Sequence, residues 1–152
     1  MRAADLAVEY PTVTMSTPAF EAARILARGD LPGLIVVDDA GKPLVVLPGT
    51  QVLRLAVPSY IQDDPTLARV IDEAAADVFI RELDGRTVQE CLPDEPKEPP
   101  IVDSRATALE MSALMARTRS PLVAVTNPDG TLAGAVTMHA LLDRIIGDGE
   151  SA

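Results

Sequence analysis

Leu34-Ile35-Val36-Val37-Asp38-Asp39-Ala40-Gly41 is a run of four aliphatic residues that breaks into a polar turn ending in glycine. Eighty-nine residues further on, Val123-Ala124-Val125-Thr126-Asn127-Pro128-Asp129-Gly130 repeats the layout. Each apolar run is short and bounded by turn residues, which predicts a strand buried on both faces. Gly41 and Gly130 supply the positive φ that closes such a turn. Working outward from this pair, Pro11–Leu55 aligns with Pro100–Arg144 without a gap, with ten identities in 45 positions. Glu21/Glu110, Arg28/Arg117, Pro32/Pro121 and Leu53/Leu142 are among them, and Ile25/Leu114 and Leu26/Met115 keep the apolar positions apolar. The chain is therefore read as a duplicated unit.

Both copies predict the same elements. In the first, Thr12-Val13-Thr14 is a short extended lead, and Thr17 is placed to cap a helix whose first residue is Pro18. Ala19, Ala22, Ala23, Leu26 and Ala27 recur at helical spacing with Glu21, Arg24 and Arg28 outward, and Gly29 ends the helix. The strand Leu34–Val37, the turn, a second strand Leu44–Leu47 and a closing helix from Gln51 to Ala56 follow. The second copy gives a helix over Leu109–Met115, strands at Val123–Thr126 and Leu132–Val136, and a helix over Met138–Ile146. The order is strand, helix, strand, strand, helix, twice.

Between the copies, Asp64-Pro65 reads as a helix start. Leu67, Val70, Ile71 and Ala74 form its apolar face, with Arg69, Asp72 and Glu73 opposite. Val78-Phe79-Ile80 reads as a short extended piece. Arg86–Leu92 resembles Arg2–Ala7, giving each copy a lead-in helix, and the proline-rich, acidic stretch Pro93–Pro100 is a stiff connector. The expected organisation is 1–58 as the first repeat with its lead-in helix, 59–85 as an inserted helical linker, 86–147 as the second repeat and 148–152 as a flexible tail.

Composition narrows the function. In 152 residues, 23 acidic against 13 basic side chains leave a net charge of −10. Such a surface repels phosphate backbones and anionic lipid heads, so neither nucleic acid nor a membrane is an expected partner. The aliphatic runs fall far short of the roughly 20 residues that span a bilayer, and Met1-Arg2-Ala3-Ala4-Asp5 lacks an apolar signal core. Cys91 is the one cysteine, which excludes an intramolecular disulfide and suits a reducing compartment. A cytoplasmic protein is expected.

Catalytic groups are scarce. One histidine and one cysteine fall in different elements, no serine sits on a glycine-flanked elbow, and no glycine-rich loop opens a helix. The paired acids Asp38/Asp39 and Asp63/Asp64 lie in turns, where solvation keeps carboxylates ordinary. No enzyme, no cofactor and no metal site are expected; Asp94, Glu95 and Glu98 read as a solvated loop.

The lead-in helix, the capped helix, the Leu34–Val37 strand with its Asp38–Gly41 turn, and the Gly134-Ala135-Val136-Thr137 strand end resemble a tandem pair of CBS domains, named after cystathionine β-synthase and called a Bateman module. The resemblance implies an α/β (α+β) fold of two βαββα repeats packed sheet to sheet about a pseudo-twofold axis, leaving two clefts. In the family those clefts often bind adenosine-containing ligands (AMP, ADP, ATP, S-adenosylmethionine), and modules often dimerise.

The family's binding signature is a glycine, two aliphatics, Ser or Thr, two residues and Asp. The hydroxyl and the Asp converge on a ribose-phosphate, and the helix N-terminus faces the phosphate. Here Gly134 to Thr137 match, with Ala140 at the Asp position; in the first copy Pro48 replaces the hydroxyl residue and Gln51 the acid. The ligand-facing positions the resemblance implies are Thr12 and Ile101 on the lead strands, Pro32 and Pro121 before the central strands, Gln51, Thr137, His139 and Ala140. His139 would give a phosphate-directed donor, and Thr137 with His139 makes the second copy the better candidate. Bland readings exist for each: an exposed first-turn histidine, a helix N-cap at Thr137, turn prolines at 32 and 121. Two functions follow as expectations. One is a regulatory module sensing an adenosine-type nucleotide and acting on a separate target polypeptide; the other is a degenerate pair serving as a protein-interaction or dimerisation module. A homodimer is expected in either case.

Overall fold

The strands alternate between two cores, which is why they read as unbroken apolar runs. In the computed structural model, which describes residues 1–70, 74–94 and 97–151, the elements of the first half are α1 (Ala3–Leu6), β1 (Thr12–Val13), α2 (Ala19–Gly29), β2 (Gly33–Val37), β3 (Pro43–Pro48) and α3 (Gly49–Ala56). Three helices follow, α4 (Ser59–Asp63), α5 (Leu67–Val70) and α6 (Ala75–Leu83). The second half comprises α7 (Val88–Cys91), β4 (Ile101–Asp103), α8 (Ala108–Thr118), β5 (Leu122–Thr126), β6 (Leu132–Thr137) and α9 (Met138–Ser151).

Each half forms a three-stranded sheet in which the central strand pairs parallel with the lead strand and antiparallel with the next. The duplication holds to the register. Ile35 faces Val46 and Ala124 faces Ala135, and both ladders slip at the same place, Val36/Val37 and Val125/Thr126. Gly41 and Gly130 take φ 81° and 89°, and Asp30 and Arg119, also 89 apart, take left-handed φ of 50° and 56° after α2 and α8.

Leu34, Val36 and Leu47 face the helices of the first half, and Val123, Val125 and Val136 those of the second. The alternate residues Ile35, Val46, Leu122, Ala124 and Ala135 meet in a third cluster between the two sheets. Sheet-to-sheet packing is thus the joint of the molecule. The two turns also touch, where Leu132 N–H donates to the Gly41 carbonyl at 3.0 Å.

The lead-in helices do not pack on the repeats they precede. Ala3 is buried in the second half's core and its N–H donates to the Ala106 carbonyl at 2.8 Å. Val88 and Cys91 of α7 are buried in the first half's core, and Val88 N–H donates to the Thr17 carbonyl at 2.8 Å. Each lead-in is exchanged.

Other local expectations differ as well. Val78-Phe79-Ile80 lies inside α6, whose Leu83 is buried in the first core, so the piece is helical rather than extended. Thr17 accepts from Thr14 N–H instead of capping α2, for which Pro18 is the N-cap residue. Residues 148–151, expected as tail, continue α9. The apolar face expected from Asp64 onward is described through Val70 and at Ala74; Ile71, Asp72 and Glu73 lie outside the described residues.

Candidate functional site

Two clefts are related by the 89-residue shift, and the chain treats them differently. The first, about 410 Å³, is bordered by Val45, Val46 and Pro48 of β3, Thr50 and Gln51 of α3, the connector residues Leu92, Pro93, Lys97, Glu98 and Pro100, and Thr118, Arg119 and Ser120 after α8. Its floor is apolar. Its rim carries two cations, Lys97 and Arg119, one acid, Glu98, and the neutral amide of Gln51.

At this cleft α3 begins without a side-chain cap, because its N-cap residue is Pro48. Gly49 N–H donates to the Pro32 carbonyl at 3.0 Å, while the next first-turn N–H groups have no intrahelical partner. An uncapped helix start with cations beside it presents a positive end to an anion.

The corresponding positions of the second half are Gly134 and Ala135 for Val45 and Val46, and they are covered. Val8 forms an antiparallel bridge with Ala135, with both N–H···O bonds at 2.9 Å. A Cβ on Gly134 would stand 2.6 Å from the Val8 carbonyl oxygen, so only glycine admits this crossing. Tyr10, 8% exposed, sits in the cluster between the sheets and donates its hydroxyl to the Gly33 carbonyl at 2.6 Å. Burial pushes its pKa up to about 12. Thr137 spends its hydroxyl on the Ala140 N–H at 3.1 Å, the very group its counterpart Pro48 leaves uncapped at Gln51.

Connector composition explains the difference. Between Ala7 and Pro11 the chain has Val8-Glu9-Tyr10, which crosses straight over β6. Between Leu92 and Pro100 it has seven residues, three of them proline, and prolines have no N–H to pair with the edge of β3.

Of the sequence-predicted residues, Gln51 borders the open cleft. Pro32 and Pro121 border an adjoining apolar depression of about 650 Å³ together with Met138 and Leu142. Thr137 and Ala140 join in the helix cap, His139 is exposed beside them, and Thr12 is exposed on β1 while Ile101 is half-buried on β4. Cys91 is buried, its thiol pushed up by burial and by neighbouring Glu90. Thr50, Lys97 and Arg119 were not singled out from the sequence. Pairing by the 89-residue shift links Lys97 to Val8 and Arg119 to Asp30, but gives neither a chemical signature. Among the described residues no cluster of His, Cys, Asp or Glu fit for a metal ion occurs, and no helix is long and apolar enough to cross a membrane.

The family model for the CBS domain matches residues 3–46 and 95–147. The chain belongs to the CBS domain family. It is a CBS pair similar in structure to a CBS domain-containing protein of unknown function from Kribbella flavida, with 48% identity, a TM-score of 0.82, and coverage of 96% of this chain and 99% of that one. Two further CBS structures share the fold. CBSX2 from Arabidopsis thaliana is 18% identical with a TM-score of 0.75, covering 99% of this chain and 98% of that one. CBSX2 in complex with AMP is 19% identical with a TM-score of 0.68, covering 97% and 98%. No curated protein sequence matches this CBS pair.

Proposed function

We propose that this CBS pair is a regulatory module that binds one adenosine-type nucleotide per chain, in the cleft between β3, α3 and the Leu92–Pro100 connector. One observation carries the reading: of two clefts related by the duplication, one is open and bordered by an uncapped helix start, while the strand edge of the other is crossed by the Val8 backbone, with Tyr10 packed between the sheets. The volume lies in the range of small-molecule sites, and the mixture of an apolar floor with a few polar groups suits a base and a ribose. AMP bound in CBSX2, a protein of the same fold, agrees with that chemistry. In this reading the ligand touches Pro48, Thr50 and Gln51, with Lys97 and Arg119 toward the phosphate. Thr137, His139 and Ala140 are not part of it, because Val8 covers the strand edge beside them.

The ligand changes how the halves lean on one another, and the signal passes to a separate target polypeptide through a homodimer. The dimer is favoured by an exposed apolar stripe, Met138, Leu142, Ile145 and Ile146 along α9 with Leu53 on α3, which flanks the depression at Pro32 and Pro121. The same stripe and the covered strand edge of the second cleft also favour a second reading, in which the pair is an interaction module with no ligand.

Titration with AMP, ADP, ATP and S-adenosylmethionine, followed by melting temperature, separates the two. Ligand at a hundred times its Kd stabilises the fold by about 2.7 kcal/mol, and Gln51→Ala weakens the response. No shift with any of the four at millimolar concentration overturns the nucleotide reading. Sedimentation at the single-chain mass at micromolar concentration overturns the dimer.

A further inference from the structure

Beyond Glu98 the open cleft continues into a shallower basin of about 380 Å³, bordered by Lys97, Glu98, Arg117, Thr118 and Arg119. Lys97, Glu98, Thr118 and Arg119 border both spaces, so the basin is the outward extension of the cleft. Three of the chain's 13 basic side chains gather here, on a molecule whose net charge is −10.

Among the described residues Glu98 is the one acid on this border, and Arg117 holds it with a fork. Arg117 Nε and Nη2 donate to the two Glu98 carboxylate oxygens, each at 2.8 Å. That contact holds the Glu98 carboxyl below the usual carboxylate range and raises Arg117. Both side chains are about half exposed, so water competes for the pair and parting it leaves no buried charge. A guanidinium fork takes a phosphate in the same geometry as a carboxylate. Thr118 offers no hydroxyl hydrogen, having donated it to the Leu114 carbonyl at 2.6 Å. The end of α8 opposes an anion with about half a charge, but Lys97, Arg117 and Arg119 against Glu98 leave a net positive border.

We propose that this basin is a polyphosphate subsite, with Glu98 as its built-in occupant. The proposal rests on the nucleotide reading above and names its ligand more closely: a nucleoside di- or triphosphate. The base and ribose lie in the inner cleft, the first phosphate faces the start of α3, and the terminal phosphates reach the basin. There they replace the Glu98 carboxylate on the Arg117 fork, and Glu98 turns into solvent. A monophosphate stops short of the basin and leaves the pair intact.

Calorimetry of the whole chain in metal-free buffer tests this with AMP, ADP, ATP and inorganic tripolyphosphate, on the wild type, Glu98→Gln and Arg117→Gln. Wild type binds ATP about tenfold more tightly than AMP, the worth of one added charge-assisted contact. Glu98→Gln strengthens ATP and tripolyphosphate binding by a larger factor than it strengthens AMP binding; Arg117→Gln brings ATP down to the level of AMP. Equal binding of AMP and ATP in all three proteins overturns the subsite and leaves the nucleotide reading standing. Weaker ATP binding in Glu98→Gln overturns the occupant role. Failure of every nucleotide with tripolyphosphate still bound, and bound more tightly by Glu98→Gln, overturns the nucleotide reading and keeps the basin. Both fall if nothing binds.

Discussion

Tyr10 gives its hydroxyl hydrogen to the carbonyl of Gly33, so a ring buried between the sheets satisfies a backbone acceptor at the start of β2. Tyr10→Phe keeps the ring and strands the acceptor, at about 1 kcal/mol, which for a chain of this length lowers Tm by about 2–4 °C. The alkaline limb of the stability curve reports the same contact. The folded state raises the phenol from 10.0 to about 12, so it holds the proton more tightly than the unfolded chain does. The stabilisation is complete below pH 10.0 and is lost as pH climbs toward about 12; Tyr10→Phe removes that part of the loss. Denaturant melts of both proteins across this range check the sign. Two glycines give a paired test of the crossing at β6. Gly134→Ala drives a Cβ into the Val8 carbonyl and costs about 1–3 kcal/mol of overpacking. Gly147→Ala meets nothing within 4 Å in α9 and stabilises by about 0.5–1 kcal/mol.

The contrast between the halves becomes functional at the level of elements. Thr137 caps α9 through Ala140 N–H, whereas α3 starts from Pro48 uncapped. Thr137→Ala therefore lowers stability by about 1 kcal/mol and leaves nucleotide affinity unchanged, while Gln51→Ala weakens affinity and leaves Tm nearly alone. Melting curves and calorimetry on the two variants read opposite columns; a Thr137→Ala loss of affinity contradicts the assignment. The two repeats, their strand order and their turns were legible in the sequence because periodicity and turn chemistry act within a few residues. What escaped was set at long range. Thr17 was the natural cap for α2, but Ala19 N–H is drawn to the Arg86 carbonyl of the exchanged lead-in, and the cap position becomes Pro18, the counterpart of Thr107. Val78-Phe79-Ile80 is too short for periodicity to separate strand from helix, and the burial of Leu83 against the first core decides for the helix. The signature Gly134–Thr137 matched the family at four positions, yet local spacing does not reveal that Val8 crosses Gly134.

At the scale of the whole molecule, a duplicated fold implies two sites, and this chain has broken that symmetry by unequal connectors. The short one lies across its strand edge and adds both hydrogen bonds of a bridge; the long one is rich in proline, and its residues Leu92, Pro93, Lys97, Glu98 and Pro100 border the open cleft. Filling the second cleft requires Val8 to give up two 2.9 Å bonds and Tyr10 to leave a packed cluster, and the energy of a weakly held small ligand does not cover both. Calorimetry on the intact chain should therefore give one nucleotide per chain, and the ratio should stay at one at ligand concentrations far above the Kd. Tyr10→Ala does not by itself raise it, since the Val8–Ala135 bridge remains. A measured ratio of two in the wild-type protein means that residues 8–10 lift out when ligand binds, and the asymmetry argued from the connectors then fails.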